Sequence, residues 1–364
     1  MGCGALALRG LLPHLAEDDV RDRVRVTAVC DPALGRAEET ARRFDVPRHF
    51  TTLEELLEDG EVDAVTIASP IGLHFDQARQ ALLAGKHIHA NKTMTTTVSE
   101  ATILIELARE RDLRIVASPG EVLRPHTQRT RELIAEGAIG TLAWALCGAG
   151  FGTYHEDEEE RDEKVGAERV DPSWYFRKPG GGPLYDMTVY SLHSLTAVLG
   201  PARRVTALSG VRVPERAFQG RQVTTEADDS SILLLDFGDN LFAVAYGTPA
   251  AGTPTLFPTY FGTAGSIGDD LLNGAPFDYP GIERTAGAPD LWSRLTWGLP
   301  HVNGRHKEIG ERHVFEDVMQ LVDWVADGTP SPVTAERARH VIDIIESGYR
   351  SAGTGRAQEL TTSF

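Results

Sequence analysis

Three side chains that can handle protons lie close together in the stretch 180–193, GGGPLYDMTVYSLH. Asp186, Tyr190 and His193 follow one another at intervals that place them on one face of an α-helix. A carboxylate, a phenol and an imidazole on one face are typical of general acid–base chemistry. The same pattern also fits a buried tyrosine that is hydrogen-bonded to an aspartate. The stretch alone leaves both interpretations open.

A glycine loop and a helix must position these groups. The three glycines at 180–182 favour a loop that bends sharply or lets another group approach its backbone. After Pro183, apolar residues recur at roughly helical spacing, at Leu184, Met187, Tyr190, Leu192 and Leu195. The sequence therefore predicts that a helix begins close behind the loop.

A lysine follows one of two predicted strands. The hydrophobic runs 62–68 and 86–90 are followed by residues 69–70 and 91–93. The carboxyl ends of parallel strands meet at one edge of a sheet, where doubly wound folds bind ligands. Lys92 at that edge would be able to hold or polarise a substrate hydroxyl. A solvated surface lysine is the alternative.

The chain opens with residues 2–7, GCGALA, a G-x-G-x-x-A form of the dinucleotide fingerprint. Its glycines would allow a tight turn and let a pyrophosphate approach a helix N-terminus. The β-like run 25–30 ends at Asp31, which would accept both ribose hydroxyls of NAD and repel the 2′-phosphate of NADP. The positive charges of Arg36 and Arg42 would weaken this repulsion of the 2′-phosphate. We predict NAD as the cofactor, with NADP not excluded.

The fingerprint should follow a strand, yet only Met1 precedes it. That strand would normally be central in the sheet, and its absence would leave its neighbours unpaired. The sequence predicts an internal start, with the first strand missing or truncated. A damaged cofactor site is the competing interpretation.

Length, net charge and cysteine spacing limit the kinds of protein that this chain can be. A chain of 364 residues is long enough for two domains, and we expect a dinucleotide-binding domain over 1–120 and a second domain over 121–364. The net charge of −17 argues against binding to nucleic acid or to an anionic membrane. Cys3, Cys30 and Cys147 form no CxxC pair, which indicates a reducing compartment. With no signal peptide or membrane-spanning run either, we expect a cytoplasmic protein.

The second half of the sequence predicts β-strands followed by two C-terminal helices. Strands are expected over 205–213, 231–237, 241–246 and 260–267, the last with Gly265 at a turn, and helices over 312–326 and 335–352. The acidic run 156–164 is expected to be a solvated loop, and His301, His306 and His313 have no partners at metal-ligand spacing. We predict no metal site.

The segment 171–178, DPSWYFRK, immediately precedes the glycine loop. Aromatic rings stack on sugar faces and an arginine can hold an anionic substituent. Trp174, Tyr175 and Arg177 are therefore candidate substrate-binding residues. Ordinary packing of the rings is the alternative.

Taken together, these segments resemble the Gfo/Idh/MocA oxidoreductase family. The resemblance covers most of the chain and is carried by GCGALA, VCDP, ASPIGLHFDQARQALLAGKHIHANKT (68–93), GAIGTLAWA (137–145) and GGGPLYDMTVY. It implies an α/β protein with an N-terminal Rossmann domain, a doubly wound parallel sheet, and a C-terminal α/β domain with a large open, mainly antiparallel sheet. The active site would lie in the cleft between them.

The resemblance also implies roles for individual residues. Lys92, Asp186 and Tyr190 match catalytic positions, although Asn91 and Thr93 replace the Glu and Pro of the family's Glu-Lys-Pro motif. Tyr190 stands where most members have histidine; a nearby Lys92 ammonium would lower its pKa, and His193 remains the alternative base. The expected cofactor-binding residues are Gly2, Gly4, Ala5, Leu6, Asp31, Pro32, Ser69, Pro70, His74, Asn91 and Lys92.

The implied function is NAD-dependent oxidation of a secondary hydroxyl of a cyclic polyol or sugar to a ketone. Two alternatives remain open. One is a glycoside hydrolase that uses NAD for transient oxidation and elimination, and the other is a non-catalytic NAD-binding regulatory protein. The resemblance further suggests a homodimer or homotetramer formed through the open face of the C-terminal sheet.

Overall fold

The computed structural model describes residues 1–58, 61–151, 164–165, 168–169, 171–218, 220–248, 252–253, 257–282, 296 and 298–364. Residues 156–163 of the acidic run therefore lie outside the described residues.

The N-terminal domain is a parallel α/β fold, as predicted. Its strands are β1 (Ala28–Cys30), β2 (Arg48–Phe50), β3 (Ala64–Ile67), β4 (His87–Ala90) and β5 (Ile115–Ala117). Strand β1 pairs with β2, and β4 pairs with β3 on one side and β5 on the other, all in parallel. The helices are a π-helical turn (Ala7–Leu11) that continues into α1 (Leu12–Leu15), α2 (Arg36–Phe44), α3 (Leu53–Glu58), α4 (His74–Leu83) and α5 (Val98–Glu110).

A gap separates the two halves of this parallel sheet, between β1 and β3. Within the described part of the chain, Met1 and Gly2 bridge it. The Met1 amino group donates to the Thr66 carbonyl (2.8 Å), the Ala68 N–H donates to the Met1 carbonyl (2.9 Å), and the Gly2 N–H donates to the Cys30 carbonyl (2.9 Å). Beside them lies a cavity of about 600 Å³ with a largely apolar lining. The chain thus enters the sheet at the position of a strand between β1 and β3.

The C-terminal domain is built on a ten-stranded sheet. The strand order is β18-β17-β16-β15-β6-β13-β12-β9-β19, with β14 also paired to β6. Every pairing is antiparallel except that of β6 with β13, so the predicted large, mainly antiparallel sheet is confirmed. The members are β6 (Leu142–Phe151), β9 (Arg204–Gly210), β12 (Ser230–Asp236), β13 (Phe242–Thr248), β14 (Gly252–Thr253), β15 (Thr259–Gly262), β16 (Gly265–Gly268), β17 (Leu271–Leu272), β18 (Ala275–Pro276) and β19 (Gln358–Glu359).

Two hairpins and four helices complete the described domain. The hairpins pair β7 (Lys164–Val165) with β8 (Glu168–Arg169), and β10 (Glu215–Phe218) with β11 (Arg221–Thr224). The helices are α6 (Pro125–Ala135), α7 (Val189–Leu199), α8 (Arg312–Ala326) and α9 (Ala335–Thr354). Helices α7 and α9 cover one face of the large sheet, whereas α8 packs back on β4, β5 and the first helix of the N-terminal domain.

The strand predicted over 260–267, with its turn at Gly265, is divided by that turn into two short strands. Strand β15 ends at Gly262 and β16 begins at Gly265. Gly265 adopts φ +156°, and a Cβ there would lie 1.8 Å from Asn273 Oδ1, so only glycine fits the return of the chain.

Among the described residues, no group of three or more His, Cys, Asp and Glu side chains is placed to hold a metal ion. Within the same residues, no helix combines the length and apolar character needed to cross a bilayer.

The fold should lose stability in mild acid through His340, which is fully buried. Its Nε2 accepts the Ala202 N–H (3.0 Å), so the ring is neutral, and burial lowers its pKa to about 4. The unfolded chain therefore binds more protons than the native chain between pH 4 and 6.5. The contribution of His340 to the free energy of unfolding is complete above pH 6.5. It decreases by up to ~1.4 kcal/mol per pH unit as the pH falls to 4.

We expect His340→Gln, which keeps an uncharged acceptor, to reduce the slope of the unfolding free energy against pH by the share of this one histidine, in urea unfolding measured from pH 4 to 7. His49→Gln, which removes an exposed histidine, is the control. An unchanged slope in His340→Gln would contradict the assignment.

Candidate active site

The glycine loop is shaped by backbone packing on both of its sides. A Cβ on Gly181 would lie 2.2 Å from the Arg177 carbonyl oxygen. Gly182 adopts φ +89°, and its Cβ would lie 2.7 Å from the Asp228 carbonyl oxygen. Both positions require glycine because any side chain would push the loop off these neighbours. The loop therefore fixes the point at which the following helix begins.

The helix begins as a π-helical turn, Leu184–Thr188, and continues as α7. Two hydrogen bonds tie its start to the loop that follows β4. Thr93 Oγ1 donates to the Tyr185 carbonyl (2.7 Å), and the Tyr185 hydroxyl donates to the Thr96 carbonyl (2.6 Å). These contacts join the two domains where Lys92 leaves the sheet.

The structure brings Lys92, Asp186 and Tyr190 together. Lys92 Nζ lies 2.5 Å from Asp186 Oδ1, and it also donates to the Asp186 backbone carbonyl. The side chains of Lys92 and Asp186 are only 12% and 10% exposed, so this ion pair is poorly screened by water. Lys92 Nζ also lies 5.1 Å from the centre of the Tyr190 ring. A fixed cation, a carboxylate and a phenol thus share one partly buried place.

The hydroxyl of Tyr190 lies 3.1 Å from Nε2 of His313, the second residue of α8. Burial raises the pKa of Tyr190 well above 10, with help from the carboxylates of Glu311 and Asp186. The expectation that Lys92 lowers this pKa is therefore wrong, because burial of the phenol outweighs the cation. Spacing along the chain did not predict this contact, because His313 lies 123 residues beyond Tyr190.

His193 lies elsewhere, which corrects its prediction as an alternative base beside Tyr190. It lines a narrow space with Ala117, Thr334 and Arg337, and burial lowers its pKa to about 3. Tyr190 and His193 both lie in α7, where residues three apart still differ by about 60° around the helix axis. His193 therefore faces the space lined by Ala117 and Arg337 and not the one that holds Lys92.

His74 is fully buried, which corrects its assignment as a cofactor ligand. Its Nδ1 lies 2.9 Å from the Thr93 carbonyl oxygen and its Nε2 lies 2.8 Å from the Ser69 carbonyl oxygen. Both ring nitrogens thus face the backbone just beyond β3 and β4. His74 holds these strand ends together and positions Lys92 indirectly.

The predicted substrate segment lies directly against the glycine loop. Tyr175 is buried and packs edge-on between Trp174 and Phe176, as in the packing alternative. Trp174 is half-buried and Arg177 is exposed, so these two side chains are the accessible ones. The Gly182 N–H donates to the Tyr175 carbonyl (2.7 Å), which keeps the segment and the loop together.

The residues predicted to hold a dinucleotide lie at one edge of the N-terminal sheet. Gly2 adopts φ +92°, and its Cβ would lie 2.8 Å from the Ala68 carbonyl, so the turn tolerates only glycine. A Cβ on Gly4 would meet no atom within 4 Å, which leaves room for a group at the start of the helix over residues 5–15. Asp31 Oδ2 accepts the Cys3 N–H (2.8 Å), so the acidic residue stands at the fingerprint turn.

Two further features fit a nucleotide. Asn91 Oδ1 is buried and has no hydrogen-bond partner among the described residues, so a ligand group can supply one. Of the remaining predicted ligands, Ala5, Leu6 and Ser69 are half-buried and Pro32 and Pro70 are exposed, all near the same edge. Arg36 lies 3.4 Å from Asp31 Oδ1 and places a cation beside the acid.

Two family models match successive parts of the chain. Residues 1–118 match the model described as the oxidoreductase family, NAD-binding Rossmann fold, and residues 127–268 match the GFO/IDH/MocA C-terminal domain. Together these two models cover most of the chain.

Individual relatives extend the comparison. An uncharacterized oxidoreductase of Synechocystis is 31% identical over 65% of this chain and 64% of its own length. A scyllo-inositol 2-dehydrogenase (NADP(+)) of Bacillus subtilis is 24% identical over 97% of this chain and 93% of its own. Several other curated relatives are matched over less than two thirds of their own length.

Solved structures show the same fold. An oxidoreductase of Agrobacterium radiobacter, determined in complex with NAD+, L-tartaric acid and magnesium, superposes with a TM-score of 0.72 at 18% identity. The superposition covers 99% of this chain and 96% of that chain. With its Rossmann domain, its large C-terminal sheet and both family models matched, the chain belongs to the Gfo/Idh/MocA oxidoreductase family.

Proposed function

We propose that the protein is an NAD-dependent oxidoreductase that oxidises a secondary hydroxyl of a cyclic polyol or sugar to a ketone. The observation that carries the proposal is the contact of Lys92 with Asp186 and the ring of Tyr190 at the carboxyl end of β4. The scyllo-inositol dehydrogenase that matches nearly the whole chain supports a polyol or sugar as the substrate class.

The chain's own residues account for the remaining chemistry. When bound, NAD supplies the hydride acceptor. Lys92 would hold the substrate hydroxyl and stabilise negative charge as it develops on that oxygen. Asp186 keeps the lysine in place and would accept a hydrogen bond from a neighbouring hydroxyl. Tyr190 would take up the hydroxyl proton.

The fingerprint residues would hold the cofactor. Gly2 permits the tight turn, Gly4 leaves room for a pyrophosphate, and Asp31 would accept the ribose hydroxyls. Asn91 would offer its buried oxygen to a donor of the cofactor. We propose NAD over NADP because of Asp31, although Arg36 beside it leaves NADP as a competitor.

A substrate screen tests the function. The purified protein is mixed with inositols, hexoses, sugar acids and glycosides, with NAD and NADP tested separately, while absorbance at 340 nm and product release are both recorded. Reduced cofactor together with a ketone product supports the proposal. Release of an aglycone without net reduction would instead identify a glycoside hydrolase, and binding of NAD with no turnover would identify a non-catalytic protein.

We also propose that a second copy of the chain covers the open face of the large sheet. On that face, apolar side chains point outward from neighbouring strands, and Leu208 and Ile232 are direct cross-strand partners. The exposed members are Trp144 (41%), Leu208 (76%), Ile232 (50%), Leu234 (55%) and Phe242 (49%). A contiguous apolar surface of this kind marks an interaction site.

Ile232→Glu combined with Leu234→Glu is expected to convert an oligomer into a monomer in sedimentation-velocity measurements. The matched control is Leu34→Glu, which places a charge at a leucine that is 74% exposed on the other domain. A wild-type protein that sediments as a monomer at micromolar concentration would contradict the proposal.

A further inference from the structure

Tyr190 cannot serve alone as the proton acceptor that the proposed function requires. Its phenol is buried at 6% exposure, and its pKa is raised well above 10 by burial and by the carboxylates of Glu311 and Asp186. A phenol of this kind is protonated throughout the neutral range, so it can accept a proton only by passing its own onward. A second acceptor must therefore lie within hydrogen-bond reach of its oxygen.

His313 is the described side chain in that position. Its Nε2 lies 3.1 Å from the Tyr190 oxygen, and the two rings meet edge to face with centroids 5.5 Å apart. The histidine is only 4% exposed and stands in the first turn of α8, so its position is set by the packing of that helix. Helix α8 packs on the N-terminal domain, whereas Tyr190 belongs to α7. The pair therefore joins the two elements that enclose the site.

The surroundings of His313 keep its ring neutral. Burial lowers its pKa well below 6.5, and nearby cations lower it further. The carboxylate of Glu311 approaches Nε2 to 3.8 Å and is 40% exposed. The titratable and charged groups that face His313 are Tyr190 on α7, Lys92 after β4, Arg124 before α6, His14 on α1, and Glu311 and Arg312 at the start of α8.

We propose that His313 accepts the proton that Tyr190 releases when Tyr190 takes the proton of the substrate hydroxyl. This inference rests on the proposed function. In the oxidation, the substrate C–H bond breaks and its hydride goes to NAD, while the hydroxyl proton moves to the Tyr190 oxygen. The Tyr190 proton moves at the same time to His313 Nε2, which leaves a ketone, a neutral phenol and an imidazolium. Glu311 stabilises that imidazolium and leads its proton toward solvent.

His313→Gln tests the relay, because glutamine retains a hydrogen-bond acceptor but cannot carry the proton away. At pH 7 kcat is expected to fall roughly 100-fold, the usual contribution of a positioned acid–base group, with little change in KM. The wild-type kcat should be nearly independent of pH from 6 to 9. The variant's kcat should rise steadily with pH over that range because solvent hydroxide replaces the histidine.

His340→Gln is the matched control, since it removes another buried histidine that is hydrogen-bonded to the backbone far from Tyr190. It should keep the flat pH profile. If the wild-type protein is active and His313→Gln retains both its rate and its flat profile, the relay is overturned while the oxidoreductase function stands.

A second readout needs no turnover. In ¹⁵N NMR of the cofactor-free protein at pH 7, the resonance that disappears in His313→Gln should belong to a neutral ring with unprotonated Nε2. In Tyr190→Phe that resonance should shift as the hydrogen bond is lost. A protonated Nε2 at pH 7, or no shift in Tyr190→Phe, would overturn the inference even if the substrate screen found no substrate.

Discussion

Replacing Lys92 with alanine is expected to lower turnover roughly 10³-fold, the scale seen when a preorganised group that stabilises a developing oxyanion is removed. Lys92 Nζ is held against Asp186 at 2.5 Å in a partly buried place, so its charge acts through little water. Removing it also leaves the Asp186 carboxylate without this cation. Steady-state kinetics on the substrate found in the screen would measure the loss.

Binding of NAD should survive this change, because the fingerprint turn and Asp31 are untouched. Isothermal titration of the variant with NAD therefore separates lost chemistry from lost folding. Lys86→Ala is the matched control, since Lys86 immediately precedes β4 and Lys92 follows it closely. Turnover that is equal in the Lys92→Ala and wild-type proteins would remove Lys92 from the mechanism.

The meeting of Lys92, Asp186 and Tyr190 was predictable because each stands at a marked point of a regular element. Lys92 follows a hydrophobic strand. Asp186 and Tyr190 follow a glycine loop, which is typical of a sharp bend in the chain. Parallel strands present their ends at one edge, so the lysine's place follows from topology. The resemblance to the family then indicated that the helix after the glycine loop lies beside this lysine.

The roles of three histidines were not predictable from local spacing. His193 follows Tyr190 by three residues in α7 and lies about 60° from it around the helix axis, and spacing alone does not show whether that offset turns the ring out of the site. His74 faces two backbone carbonyls that are brought together only by the pairing of β3 with β4. His313 contacts Tyr190 because α8, although it comes late in the chain, packs on the N-terminal domain.

The fold class was predictable because the alternation of strands and helices is strong. The turn at Gly265 was predictable from the glycine, but spacing alone did not show that it divides the segment 260–267 into two paired strands. The gap in the N-terminal sheet was predictable in kind, since only one residue precedes the fingerprint. The structure adds its size, its lining and the backbone groups of Met1 and Gly2 that span it.

An apolar strand of about five residues joined ahead of Met1 is expected to stabilise the protein by about 3 kcal/mol. The cavity of about 600 Å³ lies between β1 and β3, and its lining includes Leu11, Leu12, Val26, Leu56, Val65 and Leu321. A strand there would bury side chains on both faces and pair its backbone with both neighbours. The cost of ordering the added residues, ~1–2 kcal/mol each for the backbone, offsets much of the gross gain.

The variant's Tm should therefore rise by about 5 °C or more, and its NAD affinity should rise as well, because the strand would hold the fingerprint turn at its carboxyl end. A Gly-Ser extension of equal length is the control, since it supplies the same chain without apolar side chains. Calorimetric unfolding and titration with NAD measure the two effects. If the two extensions give the same Tm and the same NAD affinity, the cavity does not accept a strand. The short bridge of Met1 and Gly2 is then sufficient to hold the two halves of the sheet together.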